Sequence, residues 1–190
     1  MDDERPTGRE ATIEAAVRVA ARQLSAVGPS RMTVRSVAEE AGVNHALVHR
    51  HLGTKKHLVA SALDYLAQAS NEEVRRGIER GLTALQLGEL PSVRSYVAAL
   101  ARCLTEDATS LMGQTNFPVL RQVATAGIQG GLAADTAKAR AVAYMSTVFG
   151  VQLFAAYFAD AIGLNDVARR LVREQLDRAL RQLDRDLGLA

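Results

Sequence analysis

Between Asn44 and Lys55 the chain places side chains that can bond to the edges and backbone of a nucleic acid on a single short segment, NHALVHRHLGTK. Wound as a helix, that segment turns Asn44, His45, Leu47, His49 and Arg50 outward and Val48 and Leu52 inward. The outward set suits base recognition. Arginine can fork onto guanine, asparagine onto adenine, and leucine can touch a thymine methyl. Charge points the same way. Residues 31–60 carry a net +3, against −1 for the thirty residues before them and 0 for everything after. The same stretch holds all four histidines, His45, His49, His51 and His57. A polyanion-contacting surface needs such an excess, although a solvated helix face can carry one too.

The surrounding pattern supplies the elements that would position this segment. Ile13, Ala16, Val17, Ala20, Leu24 and Val27 recur at spacings of three and four, which predicts a first helix. Gly28-Pro29 ends it, because glycine suits the left-handed cap and proline cannot continue the hydrogen-bond ladder. Thr33 is a good N-cap for a second, short helix that turns Val34, Val37 and Ala38 inward and closes at Ala41-Gly42-Val43. Asn44 caps the third helix, which runs to about Leu52, and after Gly53-Thr54 a long fourth helix begins at Lys55. Helices of eight or nine residues are unstable alone and must pack on one another. A trihelical unit of this kind presents its last helix outward, at a size the major groove admits.

At these residues the sequence resembles the tetracycline-repressor (TetR) family of regulators. The pattern that carries the resemblance is Thr33, Ala41-Gly42-Val43, His49-Arg50-His51-Leu52, Gly53-Thr54-Lys55 and Leu58, preceded by a helix ending at Gly28, over roughly residues 9–60. The resemblance implies an all-α fold, with a three-helix helix-turn-helix DNA-binding domain at 1–54 and a helical ligand-binding and dimerisation domain at 55–190. It implies that Thr33 caps helix two and reaches a phosphate, and that Arg35 contacts a base or phosphate. Asn44, His45, Leu47 and Arg50 would face base edges, His49 would meet the backbone, and His51 belongs to the same DNA-binding set. Lys55 would hold a phosphate with help from the helix dipole. Two departures stand out: His49 replaces the family's usual tyrosine and Leu52 its usual aromatic. The function implied is a homodimeric regulator, a repressor, that binds a palindromic operator and is released by a small-molecule effector.

Beyond the head, helices are expected at about 92–106, 117–127, 134–161 and 165–187, with Gly77 and Gly81 opening a looser connection and no sheet anywhere. In the family the last two long helices of each subunit form a four-helix bundle across the dimer axis, which here would be 134–161 and 165–187. The effector cavity would lie among helices four to eight. Tyr65, Tyr96, Cys103, Met112, Asn116, Phe117 and Tyr144 are candidate lining residues, apolar or aromatic with a few polar handles.

Other classes fare worse. No Ser-His-Asp grouping, metal-ligand spacing or phosphate-binding glycine loop supports an enzyme. His45 and His49 sit four apart, but the H-E-x-x-H zinc signature has Glu where this chain has Ala46, so neither metal nor cofactor is expected. The single cysteine, Cys103, allows no internal disulfide and suits a cytoplasmic protein as a buried thiol. No apolar run is expected to reach membrane-spanning length. The remaining alternative is a helical protein-interaction scaffold without sequence-specific DNA binding.

Overall fold

The computed structural model describes residues 8–108, 110 and 118–187. Among them every regular element is a helix: Arg9–Val27 (α1), Val34–Glu40 (α2), His45–Leu52 (α3), Lys55–Glu79 (α4), Ala84–Gly88 (α5), Pro91–Thr105 (α6), Pro118–Gln129 (α7), Ala134–Ala161 (α8) and Asp166–Leu187 (α9). The chain divides into two compact units. One takes the residues up to Ala69 and the end of α6 from Ala98; the other takes Ser70–Val97 and the last three helices.

In the first unit α1, α2 and α3 pack pairwise on one another. Leu24, Met32, Val37 and Val48 are buried there, as are Leu58, Val59, Ala62 and Leu63 from the start of α4. Local chemistry sets the helix ends. Thr33 closes a capping box: its hydroxyl accepts from the Ser36 N–H at 2.9 Å, and its own N–H donates to Ser36 Oγ at 3.1 Å. Thr33→Ala is therefore expected to cost about 1 kcal/mol of stability, read as a lower denaturation midpoint that Thr33→Ser restores.

The α2–α3 turn is a Schellman closure. The Val43 N–H reaches the Ala38 carbonyl at 3.1 Å and the Gly42 N–H reaches Glu39 at 3.3 Å, with Gly42 at φ +66°. That left-handed angle is why glycine occupies the position.

In the second unit Ala84, Tyr144, Val148 and Leu180 form the buried centre, with Leu85, Val123, Met145, Phe149 and Leu183 packed against it. α8 packs on α7 and α9, and the five-residue α5 is set against both α8 and α9. Two features differ from expectation. α4 runs straight through Gly77, because the side chains of Leu87, Leu82 and Leu90 crowd the space a Cβ would fill. The supposed loose connection also contains α5, started by a Thr83–Gln86 capping box.

α8 brings a further correction. Between Arg140 and Asp160 it has no charged side chain, so among the described residues one helix is, by length and composition, long and apolar enough to cross a membrane. Ser146, Thr147, Gly150 and Gln152 dilute the run without breaking it. Its apolar residues lie all round the helix: Tyr144 and Val148 are buried in the unit, whereas Leu153, Phe154, Tyr157 and Phe158 are exposed. A helix apolar on every side needs cover on every side.

Candidate nucleic-acid interface and ligand cavity

α3 displays the outward set read from the sequence. Asn44, His45, Leu47, His49 and Arg50 are all exposed, His51 is half-buried, and Val48 is buried beneath them. Asn44 is also the cap, its side-chain oxygen accepting from the Ala46 N–H at 2.8 Å. This fixes the start of α3, and it leaves the Asn44 amide N–H groups available for bonding. The His45 and His49 rings lie 6.4 Å apart along one side of the helix. Among the described residues no group of three His, Cys, Asp or Glu side chains could hold a metal ion.

Arg35 projects from α2 and pairs with Glu39, Nε to Oε1 at 2.8 Å. Both partners are exposed, so the pair is weak enough to give way to a phosphate. Thr33 stands at the start of α2 and Lys55 at the start of α4, where the positive end of a helix dipole adds to any anion-binding tendency.

Two polar ties hold this head in shape. Arg22 and Gln23 of α1 both donate to the Glu40 carboxylate, and Gln23, then Arg22, keep that carboxyl below its usual range. The second tie was not legible in the sequence. Glu106, just past α6, accepts from the Ser30 N–H at 2.9 Å, while Arg102 donates to the Ser25 carbonyl at 3.1 Å. The α1–α2 connection is thus fastened to residues 76 and 77 positions away. Gly28 lies beneath the Glu106 carboxylate at φ +83°, and a Cβ there would overlap it.

Hydrogen bonds from Ser30, chiefly, depress the Glu106 carboxyl pKa, with help from the charges of Arg102 and Lys55. The linked stabilisation is therefore present above the ordinary carboxylate range and is lost as pH falls through the depressed value. Thermal midpoints taken between neutral and acid pH should fall less steeply for Glu106→Gln than for the unaltered protein. Equal slopes would mean that Glu106 plays no part.

The second unit encloses a cavity of about 510 Å³ among α4, α5, α6, α7, α8 and α9. Val74, Ile78, Leu87, Val119, Val123 and Phe149 supply most of its apolar wall, and its size is typical of small-molecule sites. Of the residues expected to line it, Tyr96 and Tyr144 do. Tyr65 and Cys103 fall in the first unit instead, the tyrosine exposed and the cysteine buried. Burial, and then the charge of Glu106, pushes the Cys103 thiol up to about 11, which leaves it unreactive at neutral pH. Met112, Asn116 and Phe117 lie outside the described residues.

Sequence reading missed Arg181 and Asp184, which bring the cavity its charges. Tyr144 donates its hydroxyl proton to Asp184, and burial, with that carboxylate, raises the phenol. Asp184 is itself raised, first by burial and then by Asp177, against the hydrogen bond from Tyr144 and the charges of Arg181 and Arg185.

A three-helix head with an outward third helix, in one chain with a helical unit that holds a cavity, defines a class: helix-turn-helix proteins with an appended helical domain. Residues 16–62 match the pattern of the bacterial regulatory proteins of the tetR family. Two similar proteins are a helix-turn-helix-type transcriptional repressor of Mycobacterium tuberculosis and a transcriptional regulator of the same type from Mycobacterium bovis. Each is 28% identical over 185 residues, covering 94% of this chain and 92% of its own. The chain is thus similar to the tetR family over its helix-turn-helix head, and to helix-turn-helix transcriptional regulators over nearly its whole length. A solved gamma-butyrolactone receptor, described as ArpA-like, aligns over 92% of this chain and 98% of its own, at a TM-score of 0.48 and 18% identity.

Proposed function

We propose that the protein is a homodimeric repressor that binds a palindromic operator and leaves it when a small molecule fills the cavity of the second unit. One observation supports the reading: side chains of the types that can bond to base edges are exposed on α3, a helix whose start and preceding turn are both fixed by caps. We assign DNA binding to residues 1–54, with Thr33, His49 and Lys55 on the backbone, Arg35 on a base or phosphate, Asn44, His45, Leu47 and Arg50 on base edges, and His51 within the same DNA-binding set. Residues 55–190 take the ligand and dimerise. Repression agrees with the description of the Mycobacterium tuberculosis relative. It also needs the simplest mechanism, since a dimer sitting on its site blocks polymerase. The protein works where its DNA is, in the cytoplasm.

The exposed apolar side chains of α8 and the start of α9 support dimerisation through these two helices, because monomers rarely leave so large an apolar patch in water. Paired recognition helices about 34 Å apart would meet successive major grooves. The covalent route for the switch is short, since α4 and α6 each contribute residues to both units. A ligand that favours one arrangement of these helices over the other shifts the head's spacing and its grip. That ligand must bind the DNA-free form more tightly, or nothing switches.

Selection of bound duplexes from a random pool tests this. The expected result is a palindromic motif. Arg50→Ala should weaken binding by about 1–3 kcal/mol and relax one position of the motif. Lys55→Ala should weaken all sequences alike and lower the salt slope by about one. Weak, sequence-blind binding even at low salt would overturn the reading in favour of a protein-interaction scaffold.

A further inference from the structure

The charges on the cavity wall narrow the chemistry of its occupant, provided that this cavity is the effector site proposed above. Most of its polar groups are already engaged. Thr83 accepts from the Gln86 N–H as the cap of α5, the Arg181 guanidinium is ion-paired with Asp177, and the Tyr144 hydroxyl is given to Asp184. Ser70 and Gln122 are neutral.

Asp184 stands apart. A carboxylate offers about four acceptor directions, and the hydroxyl of Tyr144 fills one. Arg185, the other cation near it, is exposed and bonded to Gln182 at 2.6 Å, so solvent screens its charge. The upward shift of the Asp184 carboxyl has the physical meaning expected of that arrangement. Burial and the charge of Asp177 outweigh the donor and cations around it, so its negative charge is poorly compensated. An anionic ligand would add to the imbalance. A neutral one would gain the apolar walls and a single hydrogen bond. A cationic head would supply the missing charge and donors together, in surroundings where an ion pair is screened less than in water.

We propose that the cavity takes a lipophilic amine: an apolar body against Val74, Ile78, Val123 and Phe149, with a protonated nitrogen seated on the Asp184 carboxylate beside the Tyr144 hydroxyl.

Three probes that share one alkyl chain and differ only at the head test the proposal. Decylammonium, decan-1-ol and decanoate, each below its micelle concentration, compete with the neutral fluorophore N-phenyl-1-naphthylamine for the purified full-length protein at neutral pH. Decylammonium should displace the fluorophore at concentrations roughly tenfold or more below decanoate, with decanol between them. Asp184→Asn should collapse that order to within about threefold while leaving decanol almost unchanged. Asp184→Ser, with the same expectation, serves if the asparagine variant does not fold.

If the three heads compete equally, or their order survives in Asp184→Asn, the amine class is wrong and the cavity still binds small molecules. If the fluorophore is not taken up, or is taken up equally by Ala126→Trp, in which an indole fills the chamber, the cavity is not the binding site. The effector reading then falls, and the amine proposal falls with it.

Discussion

Arginine at both Phe154 and Phe158 is expected to leave the protein monomeric and to weaken operator binding about a hundredfold or more. The two rings stack on α8 with centroids 5.8 Å apart, and Tyr157 packs beside Phe158 at 5.9 Å. Phe154 is 51% exposed and Phe158 59%, with Leu153, Tyr157 and Ile162 exposed near them and Val167 and Leu171 at the start of α9. An aromatic ring buries about 150–250 Å² in all, and more than half of each of these rings is still open to cover. With their aliphatic neighbours these rings approach what one partner contributes to a standard interface, about 800 Å². A two-fold interface uses the same patch on both copies, so one double substitution damages it four times over. Folding should not suffer, because neither ring belongs to the buried centre around Tyr144, Val148 and Leu180. Sedimentation would report the monomer, and band shifts on a two-half-site duplex would report the lost avidity. A variant that stays dimeric at micromolar concentration, or a monomer that binds DNA as well as the dimer does, sinks the proposed interface.

What could be read in advance depended on the range of the physics involved. The ends of α1, α2 and α3 and the start of α4 follow from Gly28-Pro29, Thr33, Ala41-Gly42-Val43, Asn44 and Gly53, where capping and left-handed backbone act within a few residues. The outward set on α3 followed from helical spacing, because a helix so short has one buried side and Val48 marks it. Features set by packing across the chain were not legible. Gly77 looks like a helix breaker until the Leu87 side chain is seen to take the space of its missing Cβ, with Leu82 and Leu90 close by. Glu106 becomes a tie for the α1–α2 connection only once α6 brings it there.

On α9 the charges alternate so regularly that the whole set reads as a solvated face. Yet Asp184 is half-buried beside Tyr144, whereas Asp186 is exposed. No local pattern separates those two aspartates. The uncharged length of α8 stands in the sequence, but its small polar residues make the run look shorter than its missing charges allow.

Leu24→Ala is expected to destabilise the reading head by about 2–5 kcal/mol and, with it, to abolish specific DNA binding at physiological temperature. Leu24 lies in the last turns of α1 at 0% exposure, and its carbonyl accepts the Gly28 N–H at 3.2 Å that closes the helix. Most residues buried with it in the head are small, Ala16, Ala20, Ala21 and Ala38 alongside Val37 and Val48, and Met32 is the one long buried side chain of the α1–α2 connection. Alanine and valine cannot swing into a vacated leucine site, so part of the cavity persists beyond what Met32 can fill, and the cost falls within that range. A domain's whole margin is only about 5–15 kcal/mol. α2 and α3, with seven and eight residues, have no independent stability to fall back on.

The loss should be local. Hydrogen exchange would show faster opening of amides in α1 to α3 and unchanged protection in α7 to α9. Gln68→Ala, at an exposed position of α4, should shift stability by no more than about 0.5 kcal/mol in the same assay. A Leu24→Ala protein that keeps its head protected and reads its operator normally would mean that the α1 core does not hold the recognition helix in place. α3 would then need its support from elsewhere in the first unit, with Leu58, Val59, Ala62 and Leu63 of α4 as the next side chains to truncate.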